Sequence, residues 1–413
     1  MIRPNYIEEL LEGVEVEWKA LSEVGELVRG NGLLKTDFTE SGVPAIHYGQ
    51  IYTYYGTFTT ETKSFVSYET AKKLKKVDTG DVVITNTSEN LEDVGKAVVY
   101  LGKVQAVTGG HATIFKPSNQ ISGKYFAYFT QTEMFASQKR KYAKGTKVID
   151  VSATDMSKII IPIPHLKVQE EIVRILDTFT ELTAELTAEL TAELTARKKQ
   201  YEYYRDELIS NVALNGAREV LLQDISEFVT VGIANSATHA YSASGTIMFR
   251  NQNIKVNHLD DSDLIYITPE FAKKYQNKSL KSNDILVTRT GYPGQACLVP
   301  ERYEGSQTFT TLIVRLKETE SICPMYICYF INSGLGKSYV NKMKSGAAQQ
   351  NFGAKSLEKM PILLPSIEQQ NKIVSMLERF DSFYNDIFTE LLAETEARTK
   401  QYGYYRDKLL TFE

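Results

Sequence analysis

The stretch "PIPHLKVQEEIVRILDTF", Pro162 to Phe179, returns as "LLPSIEQQNKIVSMLERF", Leu363 to Phe380. The copies lie 201 residues apart, so Pro164 falls on Pro365 and Gln169 on Gln370. After each proline the apolar residues recur every three or four positions. The first copy has Ile172, Ile175, Leu176, Phe179, Leu182, Leu186, Leu190 and Leu194. The second has Ile373, Leu377, Phe380, Tyr384, Ile387 and Leu391. That spacing predicts an apolar stripe along a helix. No proline or glycine occurs from His165 to Asn215, and Gly403 is the sole interruption in the second copy. Each copy therefore predicts a helix of about 45 residues, ~68 Å long. A striped helix of that length needs a partner. The other copy, running antiparallel, is the natural one.

The same offset reaches outward. "ARKKQYEYYRDELI" from Ala196 becomes "ARTKQYGYYRDKLL" from Ala397, and "LSEVGELV" from Leu21 becomes "LQDISEFV" from Leu222. Gly145 falls on Gly346. A repeat this long predicts tandem pseudo-symmetric domains, since solenoid repeats are far shorter. The match fades mid-repeat, where "AIHYGQI" at Ala45 faces "MFRNQNI" at Met248, and "TGDVVITNT" at Thr79 faces "SNDILVTRT" at Ser282. The scaffold is shared and the contents have diverged. Short β-branched runs between turn residues ("VVITNT", "AVVYLG", "ILVTRT", "TLIVRL") predict strands, and "KYFAYFTQTEMFASQKRK" and "PMYICYFINSGLGKSYVNKM" predict helices. The expected class is α+β, with two pseudo-symmetric mixed domains joined by two long antiparallel coiled-coil helices. The expected divisions are 1–164, an N-terminal segment and first domain; 165–214, a central helix; 215–365, a second domain; and 366–413, a C-terminal helix. "NYIEELL" at Asn5 resembles "YYRDELI" at Tyr203, which predicts that the N-terminus packs beside the C-terminus.

The chain has 413 residues and a net charge of -4. Charge is uneven: residues 16–160 and 217–361 each carry +3, and the remainder carries -10. Two mildly basic blocks thus sit between acidic segments, which keeps a nucleic-acid partner open. Three cysteines cannot all pair, and no histidine has metal-ligand spacing to one. No metal site and no transmembrane segment are expected. The N-terminus has no signal-peptide core, and a cytoplasmic protein is expected. No P-loop, G-x-S-x-G, H-E-x-x-H or [DN]-P-P-[YF] motif occurs. No catalytic residues are assigned.

Three pairs of equivalent stretches offer polar and basic side chains on loops. The first pair supplies Tyr48, Gln50, Tyr52, Tyr54 and Lys63 in one block, and Arg250, Asn251 and Gln252 in the other. The second supplies Asn86, Ser88, Glu89 and Asn90, against Arg289, Thr290, Tyr292 and Gln295. The third is "KRKYAKGTK", with Lys141, Lys144 and Lys147, against Lys342, Lys344, Gln349, Gln350 and Asn351. Lysines suit phosphates, whereas Arg, Asn, Gln and Glu suit base edges in the major groove. The plainer readings are hairpin loops, a half-buried tyrosine face and a solvated helix end. The Gln-rich pattern of the second block is missing from the first.

Between the two helical flanks stands "TELTAELTAELTAELTAR", Thr180 to Arg197, in which one four-residue word is repeated. Glutamates four residues apart along a helix repel by roughly 0.2–0.5 kcal/mol per pair.

Together these features resemble the specificity subunit of type I restriction–modification enzymes. The resemblance rests on the two I-P-x-P-like helix entries, "IPIPHLKVQEEIV" and "ILLPSIEQQNKIV", on "DILVTRTGYPG" and "GDVVITNTSENLEDVGKA", and on a TAEL repeat like that of the type IC branch. It implies that each domain is a target recognition domain reading half of a bipartite DNA site. It implies helices that space the halves and dock two methyltransferase subunits, with two restriction subunits joining them. It implies no cofactor in this chain, and S-adenosylmethionine, ATP and Mg²⁺ on the partners. The alternative is a coiled-coil scaffold with two protein-binding domains.

Overall fold

A computed structural model describes residues 6–412 except 213–215, 235–237 and 345–350; the side chains of 384 and 385 are also outside the description. The chain forms two compact units, Met1–Glu189 with Leu392–Glu413, and Leu190–Leu391. Each unit contains one α+β domain, the opening half of the long helix that follows it, and the closing stretch of the other long helix. The long helices are Leu166–Ser210 and Ile367–Thr411, each 45 residues. Gly403 does not interrupt the second.

In the first unit the central sheet runs Gly25–Arg29, Ala112–Pro117, Val82–Thr85, Ala97–Tyr100, Phe58–Thr59. Strand side chains alternate between faces. Val82, Ile84, Ala97 and Val99 face the helices at Tyr125–Phe129 and Phe135, while Val83, Val98 and Ile114 face a second five-stranded sheet through Ile46, Val77 and Ala106. Both faces are covered, so the strand reads as an unbroken apolar run. The second unit repeats the plan with two four-stranded sheets. Ile285 and Val287 face Tyr326–Ile331, and Leu286 faces Phe249 and Val299.

Two expected helices are each broken in two. Gly123–Phe129 is followed by Glu133–Tyr142, and Pro324–Asn332 by Gly334–Met343. A hydroxyl causes each break: Thr132 accepts from the Phe135 amide and Ser333 from the Gly336 amide, each starting a new helix. The strand predicted at "ILVTRT" stops at Val287. The stretch from Tyr48 to Thr53 is a short helix, and Asn251–Asn253 a single tight turn.

The proline entries are antiparallel two-stranded ladders, Val16–Ala20 with Ile160–Pro164, and Arg218–Leu221 with Pro361–Leu364. Just beyond each, a glutamine amide is fully buried. Gln169 Nε2 donates to the Gln120 and Pro164 carbonyls (2.8 and 2.9 Å), and its Oε1 accepts from the Ser122 amide (2.9 Å). Gln370 does the same with the Ser321 and Pro365 carbonyls (3.0 and 2.9 Å) and the Cys323 amide (2.9 Å). One side chain thus ties the long helix, its entry strand and the domain's helix start together.

Inside each unit the two long helices pack antiparallel. In the first, Ile172, Ile175 and Leu176 share a core with Leu409 and Leu410, and Phe179 stacks on Tyr405 at 5.9 Å. In the second, Ile373, Val374 and Leu377 share a core with Ile209, and Tyr204 stacks on Phe380 at 5.7 Å. Phe179 and Phe380 are 201 residues apart, as are Tyr204 and Tyr405. A single contact is therefore made twice, with the helices exchanging roles. The N-terminal helix Tyr6–Leu11 lies where the sequence predicts. Ile7 joins the core of Leu409, Tyr6 donates to Glu171 (2.5 Å), and Lys408 pairs with Glu8 (3.0 Å).

In the TAEL stretch, threonine hydroxyls are absorbed by the helix itself. Thr183, Thr187 and Thr195 donate to the carbonyls of Phe179, Thr183 and Thr191, at 2.7, 2.8 and 2.8 Å. Leu186, Leu190 and Leu194 are half-buried and Leu182 is exposed.

Replacing Gln169 or Gln370 by leucine removes three hydrogen bonds from a fully buried site. Each change should cost roughly 2–4 kcal/mol in denaturant unfolding. An unchanged midpoint would show that the amide is dispensable.

Candidate nucleic-acid interface

In the second domain the strand Ile285–Val287 runs into a rigid loop. The Thr288 hydroxyl donates to the Tyr292 carbonyl (2.5 Å) and accepts from the Gln295 amide (2.9 Å), while the Gly294 amide donates to the Thr288 carbonyl (2.9 Å). Gly291 and Gly294 sit at φ of 78° and 91°, which favours glycine at both turns. A Cβ on Gly294 would also lie 2.8 Å from Val340 Cγ2. Tyr292 stands at the tip, 79% exposed.

Arg289 is the first residue beyond that strand's closing threonine. Its amide donates to Asn251 Oδ1 (3.0 Å), its Nε to Asn351 Oδ1 (2.9 Å), and its carbonyl accepts from the Phe352 amide (3.0 Å). Asn251 Nδ2 in turn reaches the hydroxyls of Thr290 (3.2 Å) and Thr310 (3.3 Å). Asn251, Arg289, Thr290 and Asn351, drawn from all three candidate stretches, therefore meet at one strand end. Gln349 and Gln350 lie outside the described residues.

Other candidates in this domain are spent differently. Arg250 pairs with Asp263 (2.8 Å), and Gln252 donates to the same carboxylate (2.8 Å). Arg250 and Gln252 thus brace a loop through one acid that no sequence motif marks. Lys342 is exposed. Lys344, Tyr292 and Gln295 line a cleft of about 970 Å³ with Lys198, Arg205 and Lys337. Asp381 closes it, and burial raises its carboxyl above the usual range. Spacing gave no hint of this cleft, because its lining is gathered from separate stretches between Lys198 and Asp381.

The first domain has the same frame with other contents. The Thr85 hydroxyl donates to the Asp93 and Lys96 carbonyls (3.1 and 3.2 Å), and the Gly95 amide donates to the Thr85 carbonyl (2.9 Å). Asn86 occupies the position of Arg289: its carbonyl accepts from the Val151 amide (2.9 Å), 201 residues before Phe352. The Asn86 side chain is buried, and neither end has a hydrogen-bond partner. Around it, Tyr52 donates to the Thr87 carbonyl, the Thr87 hydroxyl meets His111 (3.1 Å), and Tyr48 packs on His111 (4.9 Å). His111 thus belongs to this cluster, with its glycine neighbours giving the turn.

Ser88 pairs in a short ladder with Ile149, and its hydroxyl accepts from the Asn90 amide (3.4 Å). Asn90 and Asp93 cap each other, which holds the Asp93 carboxyl below its ordinary range. Glu89 is exposed. Gln50 is turned inward, donating to the Ser64 hydroxyl (2.5 Å). Tyr54 is exposed, with the Lys63 ammonium 4.7 Å from its ring centre. Of the basic cluster, Lys141 and Lys147 are exposed, whereas Lys144 pairs with Asp155 (3.0 Å). Lys139, from the same stretch, points inward and is 6% exposed.

Among the described residues no cluster of ligating side chains could hold a metal ion, and no helix is long and apolar enough to cross a membrane. Two equivalent backbone frames thus carry different polar sets. A model for the type I restriction modification DNA specificity domain matches residues 13–196 and again 217–397, and the chain belongs to that family. It is 30% identical over 422 residues to the EcoR124I/EcoR124II specificity subunit of Escherichia coli, covering 100% of this chain and 98% of that one. It is 28% identical over 401 residues to the EcoprrI specificity subunit of the same species, covering 93% and 92%. Two solved structures share the fold at 14% identity. One, from a study of type I R-M system assembly, gives a TM-score of 0.73 over 95% of this chain and 97% of that one. The other, the HsdS subunit of Thermoanaerobacter tengcongensis, gives 0.51 over 95% and 96%. The subunit is the non-catalytic, DNA-specificity component of its system.

Thr288→Val would remove both loop-closing bonds of a buried hydroxyl. It should destabilise the second domain by about 1–3 kcal/mol and open residues 289–294 to limited proteolysis. Resistance equal to the parent chain would discount the clamp.

Proposed function

We propose that each domain reads one half of an asymmetric, bipartite duplex DNA site, and that the long helices fix the unread gap. The observation that carries this reading is the equivalence of Asn86 and Arg289. One backbone frame carries a buried, unpartnered amide in the first domain and a half-buried guanidinium in the second. An amide matches adenine N6/N7 and a guanidinium matches guanine O6/N7. Different side chains on one frame support different half-site sequences. Lys141, Lys147 and Lys342 suit the phosphates.

The partners are two methyltransferase subunits docked on the long helices and two restriction subunits joining through them. Exposed aromatics along those helices, Phe383, Tyr203 and Tyr404, favour such docking. S-adenosylmethionine, ATP and Mg²⁺ belong to those partners. The setting is the cytoplasm of a bacterium or archaeon. We place the domain divisions at 164, 214 and 365, between the reading blocks and the helices.

Each TAEL word adds about 6 Å and a net rotation of about 40° to a helix. A base pair adds ~3.4 Å and roughly 34–36°. The rotation nearly matches and the rise does not, so a whole word can be added with each domain still facing its groove if tilt or DNA distortion absorbs about 2–3 Å. Deleting Thr187–Leu190 should shift the preferred gap by one base pair, read by binding to duplexes of graded gap in the assembled complex. An unchanged gap would sink the ruler. Arg289→Ala should weaken binding by about 10- to 100-fold and relax discrimination at one position of one half-site. Lys141→Ala should instead weaken all sequences alike and flatten the salt dependence. Uniform weakening by Arg289→Ala would make that residue a phosphate contact.

A further inference from the structure

The helices Glu133–Tyr142 and Gly334–Met343 hold equivalent places and each presses on a loop beyond a central strand. At one position on them, 201 residues apart, stand Lys139 and Val340. Val340 meets the second loop at Gly294, whose missing Cβ makes room for it. Gly95 is the corresponding glycine of the first loop, at φ 83°, and a Cβ there would lie 3.2 Å from both Lys139 Cδ and Phe135 Cε1. The alkyl stem of Lys139 thus repeats the apolar contact.

Its ammonium does something Val340 cannot. Nζ donates to the Val94 carbonyl at 2.6 Å and the Glu92 carbonyl at 3.0 Å, both in the loop that begins at Asn86. Burial discourages the charge and lowers the Lys139 pKa to about 8, opposed by Asp93 and Glu92 and reinforced by Arg140 and Lys96. A buried ammonium is costly unless its hydrogen bonds are met. The first loop is longer than the second, nine residues between Thr85 and Gly95 against five between Thr288 and Gly294, and it has no proline. It needs more restraint, and the two carbonyl bonds supply it.

We propose that Lys139 is a positioning residue for the first domain's reading loop: it binds the loop's Glu92 and Val94 carbonyls from beneath and holds Ser88 to Asp93 in the presenting conformation. It is no phosphate contact, unlike its exposed neighbours Lys141 and Lys147. The inference rests on the reading role proposed for that loop, and the test separates the two.

Lys139→Met keeps the stem and removes the donors. In the full chain it should speed amide hydrogen exchange across 86–95 by about tenfold or more, with the second domain unchanged. Lys141→Ala should leave that exchange alone. In complex with the methyltransferase subunits, Lys139→Met should lose about tenfold in discrimination against single-base changes in one half-site only. The probe is a duplex bearing the site found in the source strain's methylome. Unchanged loop exchange would refute the positioning role. Faster exchange with intact discrimination at both half-sites would show that the loop is held by Lys139 but does not read DNA.

Discussion

Each long helix is launched from one buried amide. A carboxamide offers two donors and an acceptor from a single group, and Gln169 and Gln370 spend all three on backbone that would otherwise be unsatisfied. No apolar side chain could do this, and a carboxylate could not donate. The amide fixes where the helix starts and in which direction it leaves the domain. Everything further along that helix inherits the setting, including the stacks of Phe179 on Tyr405 and Tyr204 on Phe380.

Those stacks join helix ends drawn from the two repeats within each unit. Each unit borrows the end of a helix that the other repeat begins. Ile209 completes the core below the second domain, and Leu409 with Leu410 completes the core below the first. The N-terminal helix Tyr6–Leu11 adds a further layer to the first core. The cores are therefore closed by residues far away in sequence but identical in kind.

The scaffold was legible in the sequence because it is written twice. The offset of 201 located the proline entries, the glutamines and the long helices. Helix breaks at Thr132 and Ser333 were missed, since a hydroxyl within an apolar run looks like an ordinary helical position until its cap bond is seen. The candidate interface was legible only in part. Asn251, Arg289, Thr290 and Asn351 do converge. Arg250 and Gln252, which carry the same functional groups, are taken up by Asp263. Nothing local distinguishes the two sets, because the partner that decides each fate lies up to 62 residues away. Lys139 shows the same limit: one cation among five in "KRKYAKGTK", yet the one that faces inward.

The glutamate column of the TAEL stretch has a consequence for how the molecule responds to its solvent. Glu181, Glu185, Glu189 and Glu193 follow one another at helical spacing, and Glu193 is answered by Arg197 at 2.7 Å. Added electrolyte screens the repulsion along this column over a Debye length of about 10 Å at 0.1 M, so the column costs the helix less as ionic strength rises. Contacts between lysines and phosphates respond in the opposite sense. Salt that relieves the spacer helix thus loosens the hold on phosphates within the same polypeptide.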